Sequence, residues 1–183
     1  MRKNPRKTTG IAVNPAVPVV RTEMRIHHLE TKAMKTGYWF KPVSFISSIM
    51  KKKILFVCIE NSNRSQMSQA FAIIHGKGEI DACSAGSQPS GVINPKAIAA
   101  MKELGYDLST HDSKSLEEVK QFAPFDVVVT MGCGDACPWM PAHHFIDWQI
   151  PDPKHMDREQ FNEVRDLLSG KVQELIKTLQ ETV

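Results

Sequence analysis

A cysteine and an arginine are separated by five residues in Cys58-Ile59-Glu60-Asn61-Ser62-Asn63-Arg64-Ser65, and polar side chains fill most of the interval. These types at this spacing suit oxyanion chemistry. A loop of this length can curl so that successive backbone N–H groups point inward and form an anion nest. A helix opening near Ser65 adds its own free N–H groups and the positive end of its dipole. The planar fork of Arg64 can grip two oxygens of a tetrahedral oxyanion. The same positive surroundings favour a thiolate over a thiol, and the thiolate is the nucleophile. Cys58 is therefore the candidate nucleophile, and Ile59, Glu60, Asn61, Ser62, Asn63, Arg64 and Ser65 are candidate oxyanion-binding positions. The Ser65 hydroxyl can donate a hydrogen bond to the sulfur, and Asn61 and Ser62 can brace the loop. A bare Cys-x5-Arg match is more often a buried cysteine at a strand end and an arginine that opens a helix; its setting between an apolar strand and a helix, with polar residues filling the loop, favours chemistry.

Transfer from an oxyanion to sulfur needs a proton for the departing oxygen. Asp152 is the candidate acid, because Pro151 and Pro153 stiffen the chain around it and fix where its carboxyl points. The competing reading is a turn in which Asp152 bonds its own backbone. Asp147 is a weaker candidate. Cys133 and Cys137 bring two further thiols for redox chemistry. With His143 and His144 they could instead offer zinc ligands, but the spacing is not that of a usual zinc finger, and no metal site is expected. Cys83, between Ala82 and Ser84, reads as a small buried residue.

These groups need a scaffold, and the hydrophobic pattern supplies one. Ile54-Leu55-Phe56-Val57 is a short apolar run, as expected of a strand buried on both faces. A helix is predicted over 65–75, a strand over 79–84, a loop over 86–91 and a helix over 95–104, with Pro95 near its start and Gly105 past its end. A short helix follows over 115–121, then strands over 125–131 and 145–148. Residues 157–182 form a long helix with Phe161, Val164, Leu167, Leu168, Val172, Leu175, Ile176 and Leu179 on one stripe. Alternating strands and helices imply an α/β three-layer sandwich around a four-stranded parallel sheet. Ligands of such sheets bind beyond the carboxyl ends of the strands, where Cys58, Cys133 and Asp152 all fall.

The 183 residues fit one domain plus a spare segment, and the formal charge of +3 conceals an asymmetry. Residues 1–53 hold 12 of the 23 Lys+Arg and 2 of the 20 Asp+Glu, which leaves 11 basic and 18 acidic residues beyond them, a formal −7. The basic character belongs to the N-terminal segment, and nucleic-acid binding is not expected. Residues 1–49 read as a basic, disordered extension and residues 50–183 as the catalytic domain. A targeting peptide, or a true start at Met50, are the other readings of the extension. The apolar run over 43–50 falls far short of the ~20 residues of a membrane span. Few cysteines and no secretory signal point to a reducing cytoplasm, and a monomer with no membrane partner is expected.

Cys-x5-Arg-Ser after a buried strand resembles the active-site loop of low-molecular-weight protein tyrosine phosphatases. The longer stretch from Cys58 through Gln66 and Met67 is similar to that of the arsenate reductases sharing their fold. Ser84-Ala85-Gly86, Asn94-Pro95, the run from Thr130 to Pro138, Asp147-Trp148 and Pro151-Asp152-Pro153 extend the likeness to about residues 52–181. The resemblance implies a phosphatase-like fold and reduction of arsenate to arsenite. It implies a thiol relay Cys58→Cys133→Cys137, an Asp152 general acid and no bound cofactor. The final disulfide would be reduced by an external thiol: thioredoxin, a glutaredoxin-type protein, glutathione or mycothiol. Three departures stand out. The Cys133-x3-Cys137 spacing is short for a thioredoxin-coupled relay. Asn63 stands where a further cysteine is common. Gln69 replaces a glutamate that helps some members bind potassium. The alternative activity is phosphomonoester hydrolysis by Cys58, Arg64 and Asp152 alone, and a non-enzymatic oxyanion or metal sensor is a third reading.

Overall fold

The computed structural model describes residues 51–132 and 140–181. Four parallel strands carry it: β1 (Lys52–Cys58), β2 (Ile80–Gly86), β3 (Phe125–Thr130) and β4 (Ala142–Asp147), in the order β2-β1-β3-β4. Between and after them run α1 (Arg64–Gly76), α2 (Pro95–Lys102), the single-turn α3 (Leu116–Val119) and the long α4 (Arg158–Glu181), with short 3-10 turns at Leu108–Thr110, Lys120–Phe122 and Pro153–His155. This is the expected three-layer α/β sandwich. The chain leaves β1 for β2 on one side and later returns to place β3 on the other. The strand order thus reverses beside β1, and a crevice opens at the carboxyl ends of β1 and β3.

Both faces of β1 are buried because its alternating side chains feed two cores. Ile54, Phe56 and Cys58 share one cluster with Met67, Ala70 and Phe71 of α1 and with Phe161, Val164, Leu168 and Val172 of α4. Leu55 and Val57 share the other with Leu116, Val119, Phe125 and Val128. An element buried this completely holds its last residue, Cys58, at a fixed position.

Several boundaries move. β2 runs on to Gly86 instead of ending at 84, because Val57↔Ala85 and Cys58↔Gly86 continue the parallel pairing. β4 starts at Ala142, three residues early, pairing from Phe125↔Ala142. α2 ends at Lys102 rather than 104. The stripe on α4 is narrower than the sequence suggests: Leu167 is 44% exposed, whereas Arg165, a charged residue, is 7% exposed. Arg165 reaches Glu103 at 3.0 Å, Asp166 at 2.7 Å and the Ala100 carbonyl at 3.2 Å, the pairing a buried guanidinium needs. Among the described residues, no helix is long and apolar enough to cross a membrane.

Candidate active site

The loop leaving β1 turns its carbonyls outward, and each finds a donor. The amides of Ser87, Gln88, Ser90 and Asn94 bond the carbonyls of Cys58, Ile59, Glu60 and Ser62 at 3.2, 2.8, 2.9 and 3.1 Å. The Gln66 amide takes the Asn61 carbonyl at 3.2 Å, Met67 N the Asn63 carbonyl at 3.0 Å and the Ser68 hydroxyl the Arg64 carbonyl at 2.9 Å. A tight loop with its carbonyls facing out presents its N–H groups to the inside, which is what an anion nest requires. Asn63 caps α1 but makes no side-chain bond to the helix amides, so the first-turn N–H groups remain open to a ligand.

Two residue types make this curl possible. Asn61 has φ +48°, a left-handed conformation that asparagine tolerates better than other non-glycine residues. Gly86 lies so close beneath the loop that a Cβ there would sit 2.5 Å from the Ile59 oxygen and 2.9 Å from the Asn61 nitrogen. Any side chain at 86 would push the loop off the sheet.

Cys58 Sγ lies 3.0 Å from Ser65 Oγ, and Asn61 Nδ2 donates to that same oxygen at 2.9 Å. Cys58, Ile59, Glu60, Ser62, Asn63, Arg64 and Asp152 line a cavity of about 70 Å³. A tetrahedral anion is the class of ligand that suits so small a polar hollow. Arg64 is 6% exposed. Its Nη1 donates to the Ile150 carbonyl at 2.9 Å, and its Nη2 lies 3.4 Å from Asp152 Oδ2. Asp152 caps a turn, as one reading of its sequence expects, and also reaches the hollow: Oδ1 accepts from Lys154 N at 3.1 Å and caps the turn Pro153–His155, while Oδ2 faces Arg64. A hollow of about 420 Å³ between α2 and the start of α4 is larger, but it holds no nucleophile, and its Glu103 is engaged by Arg158, Asn162 and Arg165.

Some functional neighbours carry no sequence signal. Lys154 Nζ meets Glu60 Oε1 at 2.5 Å, joining the anion loop to the segment that bears Asp152. That hydrogen bond and the lysine charge hold the Glu60 carboxyl below the usual glutamate range, with burial opposing. The pair neutralises a carboxylate that would otherwise repel an arriving anion. Lys96 Nζ ties the same segment from the other side, at 2.6 Å from the Met156 carbonyl. Beneath the loop, Gln66 and His111 extend the hydrogen bonding of Asn61.

Cys133 and Cys137 fall outside the described residues, so the zinc reading with His143 and His144 finds only the two histidines, both exposed on β4. Among the described residues, no group of three or more His, Cys, Asp or Glu gathers as metal ligands would. Asp147 accepts from the Thr130 hydroxyl at 2.6 Å and serves the sheet end, while Trp148 sits in the core with its ring 6.0 Å from Phe56.

The fold and loop define a class: α/β proteins whose first strand delivers a cysteine into an arginine-closed nest for tetrahedral oxyanions. Residues 53–183 match the family described as low molecular weight phosphotyrosine protein phosphatase, and the chain belongs to that family. It is 41% identical over 128 residues to the glutaredoxin arsenate reductase of Synechocystis sp., a span covering 68% of this chain and 96% of that protein. A solved arsenate reductase in the phosphate binding state matches with a TM-score of 0.62 at 38% identity, covering 69% of this chain and 98% of that one. A thioredoxin-dependent arsenate reductase of Corynebacterium glutamicum matches with a TM-score of 0.61 at 28% identity, covering 88% of this chain and 72% of that one.

Proposed function

We propose that the chain reduces arsenate to arsenite in the cytoplasm, with Cys58 as nucleophile and an external thiol as the electron source. One geometric observation carries the chemistry: Cys58 Sγ, the inward amides of its loop, Arg64 and Asp152 converge on one hollow of oxyanion size. The choice of arsenic rests on the relatives, which are arsenate reductases matched over nearly their whole length.

In the proposed cycle the oxyanion displaces Asp152 as the partner of Arg64, and its other oxygens take the loop amides. The Cys58 thiolate attacks arsenic, and Asp152 passes a proton to the oxygen that leaves. The Cys133 thiolate then attacks the Cys58 sulfur. The electron pair of the S–As bond goes to arsenic, arsenite departs and a Cys58–Cys133 disulfide remains. Cys137 attacks the Cys133 sulfur, freeing Cys58 and leaving Cys133–Cys137 for a thioredoxin, a glutaredoxin-type protein or a small thiol such as glutathione or mycothiol.

Incubation with arsenate followed by disulfide mapping by mass spectrometry tests this directly. A Cys133–Cys137 or Cys58–Cys133 bond is expected, together with arsenite. Full arsenate reduction in Cys133→Ser overturns the relay. No arsenite and no disulfide, alongside rapid aryl phosphate hydrolysis, selects the phosphomonoesterase reading, for which Cys58, Arg64 and Asp152 suffice.

A further inference from the structure

We infer that Tyr106 and His111 are positioning residues for the Cys58 thiolate, acting through a one-way chain of hydrogen bonds that runs from Tyr106 through His111, Gln66, Asn61 and Ser65 to the sulfur. The inference rests on Cys58 as the nucleophile of the proposed function, but not on arsenate as its substrate.

The direction of the chain follows from backbone groups whose roles are fixed. The Lys114 backbone N–H, which can only donate, lies 2.7 Å from one terminal atom of the Asn61 amide. That atom is therefore Oδ1, and Nδ2 must face Ser65 Oγ at 2.9 Å. Ser65 Oγ thus accepts a hydrogen bond from Asn61, and its own proton is free to point at Cys58 Sγ, 3.0 Å away. One terminal atom of Gln66 lies 2.8 Å from the Asp112 carbonyl and 3.2 Å from the Asn61 carbonyl, both of which only accept. That atom is Nε2, and it also reaches Asn61 Oδ1 at 2.9 Å. Gln66 Oε1 is then left facing His111 Nδ1 at 2.9 Å, so Nδ1 carries the proton. In the neutral ring Nε2 holds a lone pair, and the Tyr106 hydroxyl, 2.8 Å away, donates to it.

Every link therefore donates toward the sulfur. Asn61, Ser65 and Gln66 are fully buried, and in a dry interior aligned hydrogen bonds polarise one another, so the last donor in the row is strengthened by those behind it. Burial holds His111 below the usual histidine range, with the Lys114 charge adding to this and Asp112 opposing. The ring is accordingly neutral near pH 7, as the chain requires. Burial pushes the Tyr106 phenol upward, which keeps it a donor. The two rings meet edge to face, 5.6 Å between centroids at 89°, and this holds the hydroxyl over the lone pair. If either residue is lost, Gln66 keeps its place among its acceptors, but the row ends sooner and the serine proton is offered less strongly.

The test is the pH dependence of Cys58 alkylation by iodoacetamide, read on the Cys58 peptide by mass spectrometry with no oxyanion present. Arg64, Glu60, Asp152, Lys154, Asp112 and Lys114, the charged groups around the two ends, stay unaltered in every variant. His111→Leu is expected to move the alkylation midpoint upward by roughly half a unit to one unit, the net worth of about one hydrogen bond between neutral groups. Tyr106→Phe should move it less, in the same direction. His111→Asn, whose amide nitrogen occupies the place of Nδ1, should restore most of the His111→Leu shift. The proposal is overturned if the wild-type midpoint survives in His111→Leu, or if His111→Asn shifts as far as His111→Leu, since packing and not donation would then be the cause. Should His111→Leu fail to fold, Tyr106→Phe and His111→Asn decide: a midpoint unchanged in Tyr106→Phe overturns the chain beyond His111. A shift seen in a protein that turns over no arsenate would sink the substrate and leave this inference standing.

Discussion

Cys58 and Cys83 lie on neighbouring strands of one sheet, and both are free thiols. Cys58 ends β1 opposite Gly86, whereas Cys83 lies within β2 opposite Leu55. Cys58 is the more deeply buried, at 3% exposure. Burial alone would therefore name Cys58 the inert residue and Cys83 the reactive one. Their surroundings reverse that order. Around Cys58 the chain places a serine hydroxyl, a ring of inward amides and an arginine. Cys83 packs against the apolar cluster that holds Leu55, Val57 and Leu116, and burial pushes its thiol up to about 12, with the Asp81 charge adding to the shift and Lys114 and Lys53 opposing. The lesson is that strand position decides what a cysteine can do: at the carboxyl end beside the reversal of strand order it meets donors, and three residues earlier it meets side chains.

The largest effect that separates the two is loss of activity. Cys58→Ser should reduce arsenate-dependent oxidation of an added thiol to background, while Cys83→Ala keeps it within about twofold and costs roughly 1 kcal/mol of stability for the small volume removed. Iodoacetamide at neutral pH should label Cys58 in the folded protein and reach Cys83 only after denaturation. Early labelling of Cys83 would dissolve the contrast.

Asp152 sharpens the same contrast from the other side of the hollow, because an acid is of use only where a nucleophile has an oxygen to displace. Asp152→Asn retains the shape and the Lys154 cap but has no proton to give. Activity should fall by about 10²–10⁴-fold, with the substrate concentration for half-saturation little changed. If turnover in Asp152→Asn matched the wild type, the leaving oxygen would draw its proton from water and Asp152 would be only the cap of its turn.

The sequence made the sheet, its strand types and the Cys58–Ser65 loop legible because each is written in local spacing: an apolar run, a polar interval, a helical stripe. What escaped it depends on pairing across the chain. Gly86 reads as the start of a loop, yet it continues β2, and its missing side chain is what lets the anion loop lie down. Glu60 reads as one polar loop residue among several, but its partner is 94 positions away at Lys154. Gln66 and His111 are separated by 45 positions, and nothing in either neighbourhood announces the other. Arg165 can break the apolar stripe of α4 because Glu103 and the Ala100 carbonyl, more than 60 positions away, meet it together with the adjacent Asp166.

The smallest expected difference between the two thiols lies in alkaline stability, and its sign follows from proton binding. An unfolded cysteine releases its proton near pH 8.5, whereas Cys83 in the folded chain holds its proton up to about 12. Between these values the folded state binds more protons than the unfolded state, so the stability from Cys83 is fully present below about pH 8.5 and is lost progressively as pH rises toward 12. One group gives a slope of at most about 1.4 kcal/mol per pH unit, and less here because the side chain is only partly buried. The other groups that ionise above pH 8.5 are common to the wild type and to Cys83→Ala, so the comparison cancels them. Urea unfolding of both proteins between pH 8.5 and 10 should therefore show the wild type losing stability faster, the two curves converging as pH rises. Parallel curves would mean that Cys83 is as free to ionise in the fold as out of it, and the distinction between a reactive strand end and an inert strand interior would have to rest on Cys58 alone.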